Sequence, residues 1–232
     1  MSNSSLVDLT ILSPNHSGNR KQKITRITVH CTACLVTAYR IGTIFQPRSR
    51  NASCNYGIGT DLKIVMCVPE SMRSWCSSSN DNDQRAVTIE AASSNVKPYE
   101  FAPGVYEKTI ELCVDICKRN GKKKVVYISD QTKALKYQPA EDEMLLTFHR
   151  WFSKTKSCPG DWFMQRAASF ANEINKRLNP TPEPEQYYII KKGDNLTKIA
   201  ALYNTTVPML MALNPKIKNK NMIKAGDIIR VK

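Results

Sequence analysis

The sequence predicts an α/β domain followed by a small β-α-α-β domain. Residues 1–178 alternate short apolar stretches of strand type with longer stretches of helical periodicity, which is typical of an α/β domain. Residues 187–232 contain a second, shorter set of such stretches. Between them, residues 179–186 alternate proline with polar residues, and because proline keeps the backbone extended we expect a semi-rigid linker there.

Strands and helices in the first domain follow from apolar periodicity and from helix start and stop signals. The predicted strands are Lys23–His30, Leu62–Val68, Ala86–Ala91 and Lys124–Ser129, and the predicted helices are Gly104–Asn120, Glu141–Phe152 and Pro159–Leu178. Gly121 stops the first helix, and Pro159 suits the first turn of the last. The first strand delivers His30 at its end, and the helix predicted at 141–152 carries His149 beside its apolar face.

The second domain is short, and its small core predicts a compact module of modest stability. Its predicted elements are a strand at Tyr188–Ile190, a helix from Leu196 to Tyr203, a second helix from Thr205 to Leu213 and a strand at Ile228–Val231.

The composition limits the possible partners. The chain has a net charge of +14, and residues 187–232 alone carry eight lysines and one arginine against two aspartates. This charge favours a polyanion, either nucleic acid or an anionic cell wall, and since no nucleic-acid motif is present we expect no nucleic-acid partner. No apolar run reaches eighteen residues, so no membrane insertion is expected. The N-terminus lacks the basic and apolar segments of a secretory signal, which predicts synthesis in the cytoplasm.

Two histidines and a cysteine are candidate ligands of one catalytic zinc. A catalytic zinc has three protein ligands and reserves its fourth position for water, and His30, His149 and Cys158 supply that count. Cys158 lies in a short loop that ends in Pro159-Gly160, and this loop can turn the thiolate back toward His149. A histidine beside an apolar face is, however, more often a core residue. His16 lies in a polar stretch and is expected in a surface loop.

Cys31 and Cys34 form a C-x-x-C pair directly after the first strand. Alone, this pair suggests a redox motif or a zinc ribbon. A zinc ribbon needs a second pair at similar spacing, which the sequence lacks, and a thiol oxidoreductase gives His149 and Cys158 no role. We therefore interpret the C-x-x-C pair as incidental.

Four segments resemble zinc-dependent N-acetylmuramoyl-L-alanine amidases of the phage-lysin and peptidoglycan-recognition-protein type. They read ITVHCTA, SCNYGIGTD, AVTIEAA and HRWFSKTKSCPGDWF, and the resemblance covers roughly residues 20–178. It implies a central mixed β-sheet flanked by helices. It also implies one catalytic zinc ion held by His30, His149 and Cys158.

The same resemblance implies the catalytic groups Glu90, Lys156 and Tyr56. Glu90 is expected to take a proton from water and return it to the leaving nitrogen, while Lys156 faces the developing oxyanion. Tyr56 donates a hydrogen bond to the same oxyanion, or replaces Glu90 as the main base. The alternatives are a solvated strand-end carboxylate for Glu90, a packing role for Tyr56 and a solvated surface lysine for Lys156.

The segments GDNLTKIA, LNP and AGDIIRV resemble a LysM module over nearly all of residues 187–232. LysM modules bind glycans that contain N-acetylglucosamine. The resemblance implies a shallow groove formed by Gly193, Asp194, Asn195, Leu196, Asn214, Pro215 and Ile217. The alternative is that these residues only form turns and helix caps.

Together these features predict a peptidoglycan hydrolase of phage or prophage endolysin type. It would cut the amide between N-acetylmuramic acid and L-alanine and reach the cell wall after holin-dependent or other release. Two alternatives remain open from the residues alone: a catalytically silent peptidoglycan-binding protein, and a zinc peptidase that cuts within the stem peptide.

Overall fold

The computed structural model describes residues 2–181 and 184–232, so Pro182 and Glu183 of the predicted linker lie outside the described residues. The chain divides into two units, residues 1–180 and 181–232, and each has its own hydrophobic core. Within the described ranges, no helix is both long enough and apolar enough to cross a membrane.

Most strands of the first unit belong to one mixed sheet. They are β1 (Leu9–Thr10), β2 (His16–Asn19), β3 (Arg26–Cys31), β4 (Tyr56–Ile58), β5 (Ile64–Met66), β6 (Met72–Ser74), β7 (Ala86–Ala91), β8 (Lys124–Val126) and β9 (Glu143–Phe148). In the described part of the chain, the sheet has the order β1-β5-β4-β7-β3-β9-β8, while β2 pairs with β6. All neighbours in the large sheet are parallel except β4 and β5.

Helices cover both faces of this sheet. They are α1 (Ala38–Phe45), α2 (Asn80–Arg85), α3 (Val105–Arg119), α4 (Gln131–Lys136), α5 (Asp161–Met164) and α6 (Ala167–Leu178). The larger core joins α3 and α6 to one face, and a smaller core joins α1 to β5 on the other. This arrangement confirms the predicted α/β class with a central mixed sheet.

The central strands β7, β3 and β9 have one apolar and one polar face. Ile27 and Val29 belong to the large core, whereas Thr28, between them, faces the other side. Thr28 pairs in register with Thr88 and Thr147, and Thr28 Oγ1 lies 2.7 Å from Thr147 Oγ1. Asn82 of α2 donates to Thr28 Oγ1 at 2.9 Å, so these buried polar groups are satisfied. The polar row continues along the same face toward the carboxyl ends of the strands.

The helix predicted at Glu141–Phe152 is wrong: Glu143–Phe148 is strand β9, followed by a short 3-10 turn at His149–Trp151. All six residues of β9 are buried. A parallel strand covered on both faces lacks the alternation that identifies a half-exposed strand, so its apolar run resembles a buried helix. The last predicted helix is also divided, into α5 and α6.

The second unit has the predicted β-α-α-β order. Its elements are β10 (Tyr187–Ile189), α7 (Leu196–Leu202), α8 (Val207–Leu213) and β11 (Ile228–Arg230). Strands β10 and β11 are antiparallel, and one face of each packs on the two helices. Asn195 and Thr206 cap the two helices through their side chains, which explains why each helix begins where it does.

Candidate metal centre

Two histidines and a glutamate lie in one row across three neighbouring strand ends. His30 of β3 is in register with Glu90 of β7. On the other side, Val29 pairs with Phe148, so the next residue, His149, comes beside His30. The two imidazole rings are 5.0 Å apart between centroids. Although residues 143–148 form a strand and not the predicted helix, His149 still lies beside His30, because β9 ends next to the carboxyl end of β3.

A loop after β9 brings Cys158 to this row. The Cys31 amide donates to Cys158 Sγ at 3.3 Å, and the same sulfur lies 3.4 Å from His30 Nδ1. Arg150 holds the loop, because its backbone amide donates to the Cys158 carbonyl at 3.1 Å. Its guanidinium also binds Asp161 Oδ1 at 2.9 Å. No local sequence pattern identifies Arg150, whose only signal is the opposite charge of Asp161, eleven residues further on.

The three predicted ligands fit a zinc ion. One donor atom each from His30, His149 and Cys158 can be chosen so that all lie within 4.8 Å of one another. In a tetrahedral zinc site, Zn–S of about 2.3 Å and Zn–N of about 2.0 Å place sulfur and nitrogen about 3.5 Å apart. The distance of 3.4 Å between Cys158 and His30 agrees with this value. It is His30 Nδ1 that lies beside Cys158 and Glu90, while His30 Nε2 is buried without a hydrogen-bond partner among the described residues.

Burial sets the charge of each group in the centre. It lowers the pKa of His30 well below its usual range, and together with Lys156 it lowers the pKa of His149 to about 4. Both rings are therefore neutral near pH 7, which is the form that binds metals. Burial also raises the pKa of the Cys158 thiol and raises the pKa of Glu90 to about 8. A divalent cation would oppose the last two shifts by stabilising the anions.

Glu90 lies at the edge of the metal centre. Its Oε1 is 4.0 Å from His30 Nδ1, and 15% of its side chain is exposed. Cys76 Sγ approaches the same oxygen at 3.8 Å. Glu90 is therefore not a freely solvated carboxylate at a strand end, which was the alternative interpretation of this residue. Glu90 is close enough to the candidate ligands to exchange a proton with a water molecule held between them.

The loop at residues 76–78 supports His149 from outside the row. Ser78 Oγ lies 2.9 Å from His149 Nε2, which leaves Nδ1 as the ring nitrogen available to a metal. Asp83 holds this loop by accepting hydrogen bonds from the Ser77 hydroxyl at 2.6 Å and from the Cys76 amide at 3.1 Å. Ser78 and Asp83 are supporting residues that no local motif identified.

A cleft of about 250 Å³ opens over the candidate ligands. Its walls include Ile41 and Phe45 of α1, and polar groups such as Asn80 line a neighbouring pocket. His149 and Lys156 line both the cleft and this neighbouring pocket.

Tyr56 does not lie in the candidate metal centre, so the expectation that its hydroxyl faces the oxyanion is wrong. In β4, Tyr56 is in register with Ile89, so its side chain is on the face opposite Glu90. The ring is fully buried. Its hydroxyl donates to Glu70 Oε1 at 2.7 Å and accepts from the Ser4 amide at 3.0 Å. Burial, followed by the negative charge of Glu70, raises the pKa of Tyr56.

In the second unit, the predicted glycan-binding residues divide into two sets. Asn214, Pro215 and Ile217 line a groove, whereas Gly193, Asp194, Asn195 and Leu196 do not line it. Several of these residues have structural roles. Asp194 Oδ2 accepts from the Tyr188 hydroxyl, Asn195 caps α7, Leu196 is in the core, and Asn214 binds the Arg230 backbone.

The first unit is a mixed α/β domain with a candidate metal-binding group at the carboxyl ends of its strands, and the second is a small β-α-α-β unit. The family model described as N-acetylmuramoyl-L-alanine amidase matches residues 20–161, which is more than half of the chain. The chain therefore belongs to the N-acetylmuramoyl-L-alanine amidase family. The LysM domain model matches residues 188–232, in agreement with the predicted module.

Curated relatives match shorter stretches. The endolysin of Bacillus phage PZA is 59% identical over 44 residues, which are 19% of this chain and 17% of that protein. The endolysin of Bacillus phage B103 is 47% identical over 62 residues, which are 25% of this chain and 24% of that protein. The chain thus spans at most about a quarter of the length of these two relatives.

Solved structures with a similar chain path include PlyL, at 14% identity with a TM-score of 0.46, covering 72% of this chain and 94% of PlyL. The Staphylococcus aureus hydrolase AmiA, solved in complex with its ligand, is 13% identical with a TM-score of 0.48. That similarity covers 77% of this chain and 85% of AmiA.

Proposed function

We propose that this chain hydrolyses the amide between the lactyl group of N-acetylmuramic acid and L-alanine in peptidoglycan. The observation that supports this most strongly is the convergence of His30, His149 and Cys158 donor atoms within 4.8 Å, beside a carboxylate in the same row. Family membership supplies the substrate class. Because both domain types match, peptidoglycan is the proposed partner of the whole chain.

In the proposed reaction, His30, His149 and Cys158 would hold one zinc ion. When bound, zinc would supply a Lewis acid that polarises the amide carbonyl and lowers the pKa of water. A carboxylate oxygen of Glu90 takes a proton from the attacking water and returns it to the leaving nitrogen. The Lys156 ammonium lies toward the carbonyl oxygen and stabilises the charge that develops there. The products are a lactyl carboxylate and the free amine of L-alanine.

The LysM domain would hold the enzyme on its insoluble substrate. Tethering raises the local concentration of the catalytic domain without changing its chemistry. The relatives are endolysins of Bacillus phages, which supports the proposal that this chain acts on a bacterial cell wall after release from the cell that makes it.

The test is product analysis on purified cell walls. An amidase releases the amino group of L-alanine and creates no new reducing sugar ends. Release of another amino terminus would show a peptidase that cuts within the stem peptide. No release at all, with wall binding retained and zinc bound, would show a binding protein. Glu90→Gln is the matched control, because it keeps the side-chain size and the three ligands while removing the base.

A further inference from the structure

The LysM domain contains a groove of about 770 Å³ between the α8–β11 loop and the two-stranded sheet. Its apolar surface includes Tyr187, Ile228 and Met222, whose side chains are 57%, 64% and 75% exposed. Lys216 and Lys218 also line the groove. An exposed aromatic ring beside apolar side chains suits the apolar face of a sugar, and the lysines add positive charge at the same place.

The two groove lysines carry charge that the domain does not neutralise. Among the residues that the structure describes, neither Lys216 nor Lys218 has an acidic partner, whereas Arg230 is paired with Glu185 at 2.6 Å. Asp227 also lines the groove, and its carboxylate accepts from the Lys224 amide at 3.3 Å. One lining carboxylate therefore faces two lysines that have no acidic partner among the described residues, while Glu185 beside the groove is engaged by Arg230 and by the Tyr187 hydroxyl.

The proposed reaction changes the charge of the glycan. Each muramic acid carries a neutral lactyl amide before hydrolysis and a lactyl carboxylate afterwards. A glycan strand without stem peptides is therefore an anionic sugar polymer, and its sugar rings are no longer covered by peptide. Such a strand combines the two features that the groove offers to bind: apolar sugar faces and regularly spaced negative charges.

We propose that this groove binds glycan strands that carry free lactyl carboxylates, with Lys216 and Lys218 contacting the carboxylates and Tyr187 stacking on a sugar ring. The inference rests on the proposed function for the identity of the product. The LysM domain would then prefer cell wall in which the stem peptides have already been removed. The enzyme would remain beside its own product, within reach of neighbouring stem peptides that are still attached. Each exposed lysine–carboxylate contact contributes about a two- to fivefold gain in affinity.

The test measures binding of the full chain to glycan strands from which all stem peptides have been removed. A matched sample has its lactyl carboxylates reduced to alcohols, and neither sample contains a stem-peptide amide for the catalytic domain to cut. The result is thus independent of the proposed hydrolysis. We expect the anionic strand to bind about five- to twentyfold more tightly than the reduced strand.

Two double variants locate the effect. The change K216Q/K218Q should remove most of the preference for the anionic strand, whereas K191Q/K192Q removes the same charge outside the groove and should retain it. Equal affinity for both strands would overturn the proposal. So would an equal loss in both double variants, or equally tight binding of single-stranded DNA, since either result would show general attraction to polyanions.

Discussion

The hydroxyl of Tyr56 should stabilise the fold and contribute nothing to catalysis. Tyr56→Phe removes a 2.7 Å hydrogen bond to the fully buried carboxylate of Glu70 and a 3.0 Å bond from the Ser4 amide. Glu70 retains the 2.6 Å ion pair with Arg119 and the 3.3 Å bond from Asn120, so the carboxylate is not left without partners. A bond to a charged group contributes about 1.5–3 kcal/mol, and a neutral bond about 1 kcal/mol.

Because the two bonds share one hydroxyl, we expect the free energy of unfolding to fall by about 2–3 kcal/mol. For a domain of this size, that corresponds to a decrease in Tm of roughly 4–12 °C. Calorimetry measures the shift, and turnover on a soluble muropeptide at 25 °C should stay within about twofold of the unchanged protein. Tyr39→Phe, at a position that is 63% exposed, is the matched control and should change neither quantity. If Tyr56→Phe left Tm unchanged but reduced turnover more than about tenfold, Tyr56 would have a catalytic role. The inference that its side chain lies on the sheet face opposite Glu90 would then be wrong.

Three further outcomes follow from the site and the domain arrangement. Glu90→Gln should retain zinc and lower turnover by about 10²–10⁴, and near-full turnover would remove Glu90 as the base. Ser78→Ala should weaken zinc binding about tenfold in a chelator competition, because Ser78 orients the His149 ring, and an unchanged affinity would show that this bond has no role. Deleting residues 187–232 should weaken binding to intact walls and leave cleavage of a soluble muropeptide nearly unchanged. Equal loss on both substrates would instead mean that the LysM domain completes the active site.

The candidate zinc ligands and Glu90 could be located from the sequence because each of them occurs in a local pattern. His30 lies near the end of a short apolar strand, and the predicted strand Ala86–Ala91 coincides with β7, which carries Glu90. Cys158 comes with a Pro-Gly turn that the sequence displays directly. His149 is a candidate ligand from its neighbours in sequence, the Cys158 loop above all, so this inference does not depend on whether residues 143–148 form a helix or the strand β9.

The rest of the site depends on pairing between distant segments. Tyr56 was expected at the oxyanion because a motif contains it, but register with β7 decides its face, and a shift of one residue reverses that face. Arg150 and Ser78 act through partners in other loops, so no local periodicity reveals them. In the LysM domain, the motif residues Asp194 and Asn195 form a turn contact and a helix cap, which sequence similarity cannot distinguish from glycan contacts.

Zinc analysis of the purified protein tests the central claim most directly. The full chain should contain about one zinc ion, and Cys158→Ala should lose most of it together with wall hydrolysis, because two ligands hold zinc far less tightly than three. Cys34→Ala, at an exposed cysteine outside the ligand group, is the matched control and should retain both. A full zinc content in a folded Cys158→Ala protein would contradict the assignment of His30, His149 and Cys158 as the metal centre.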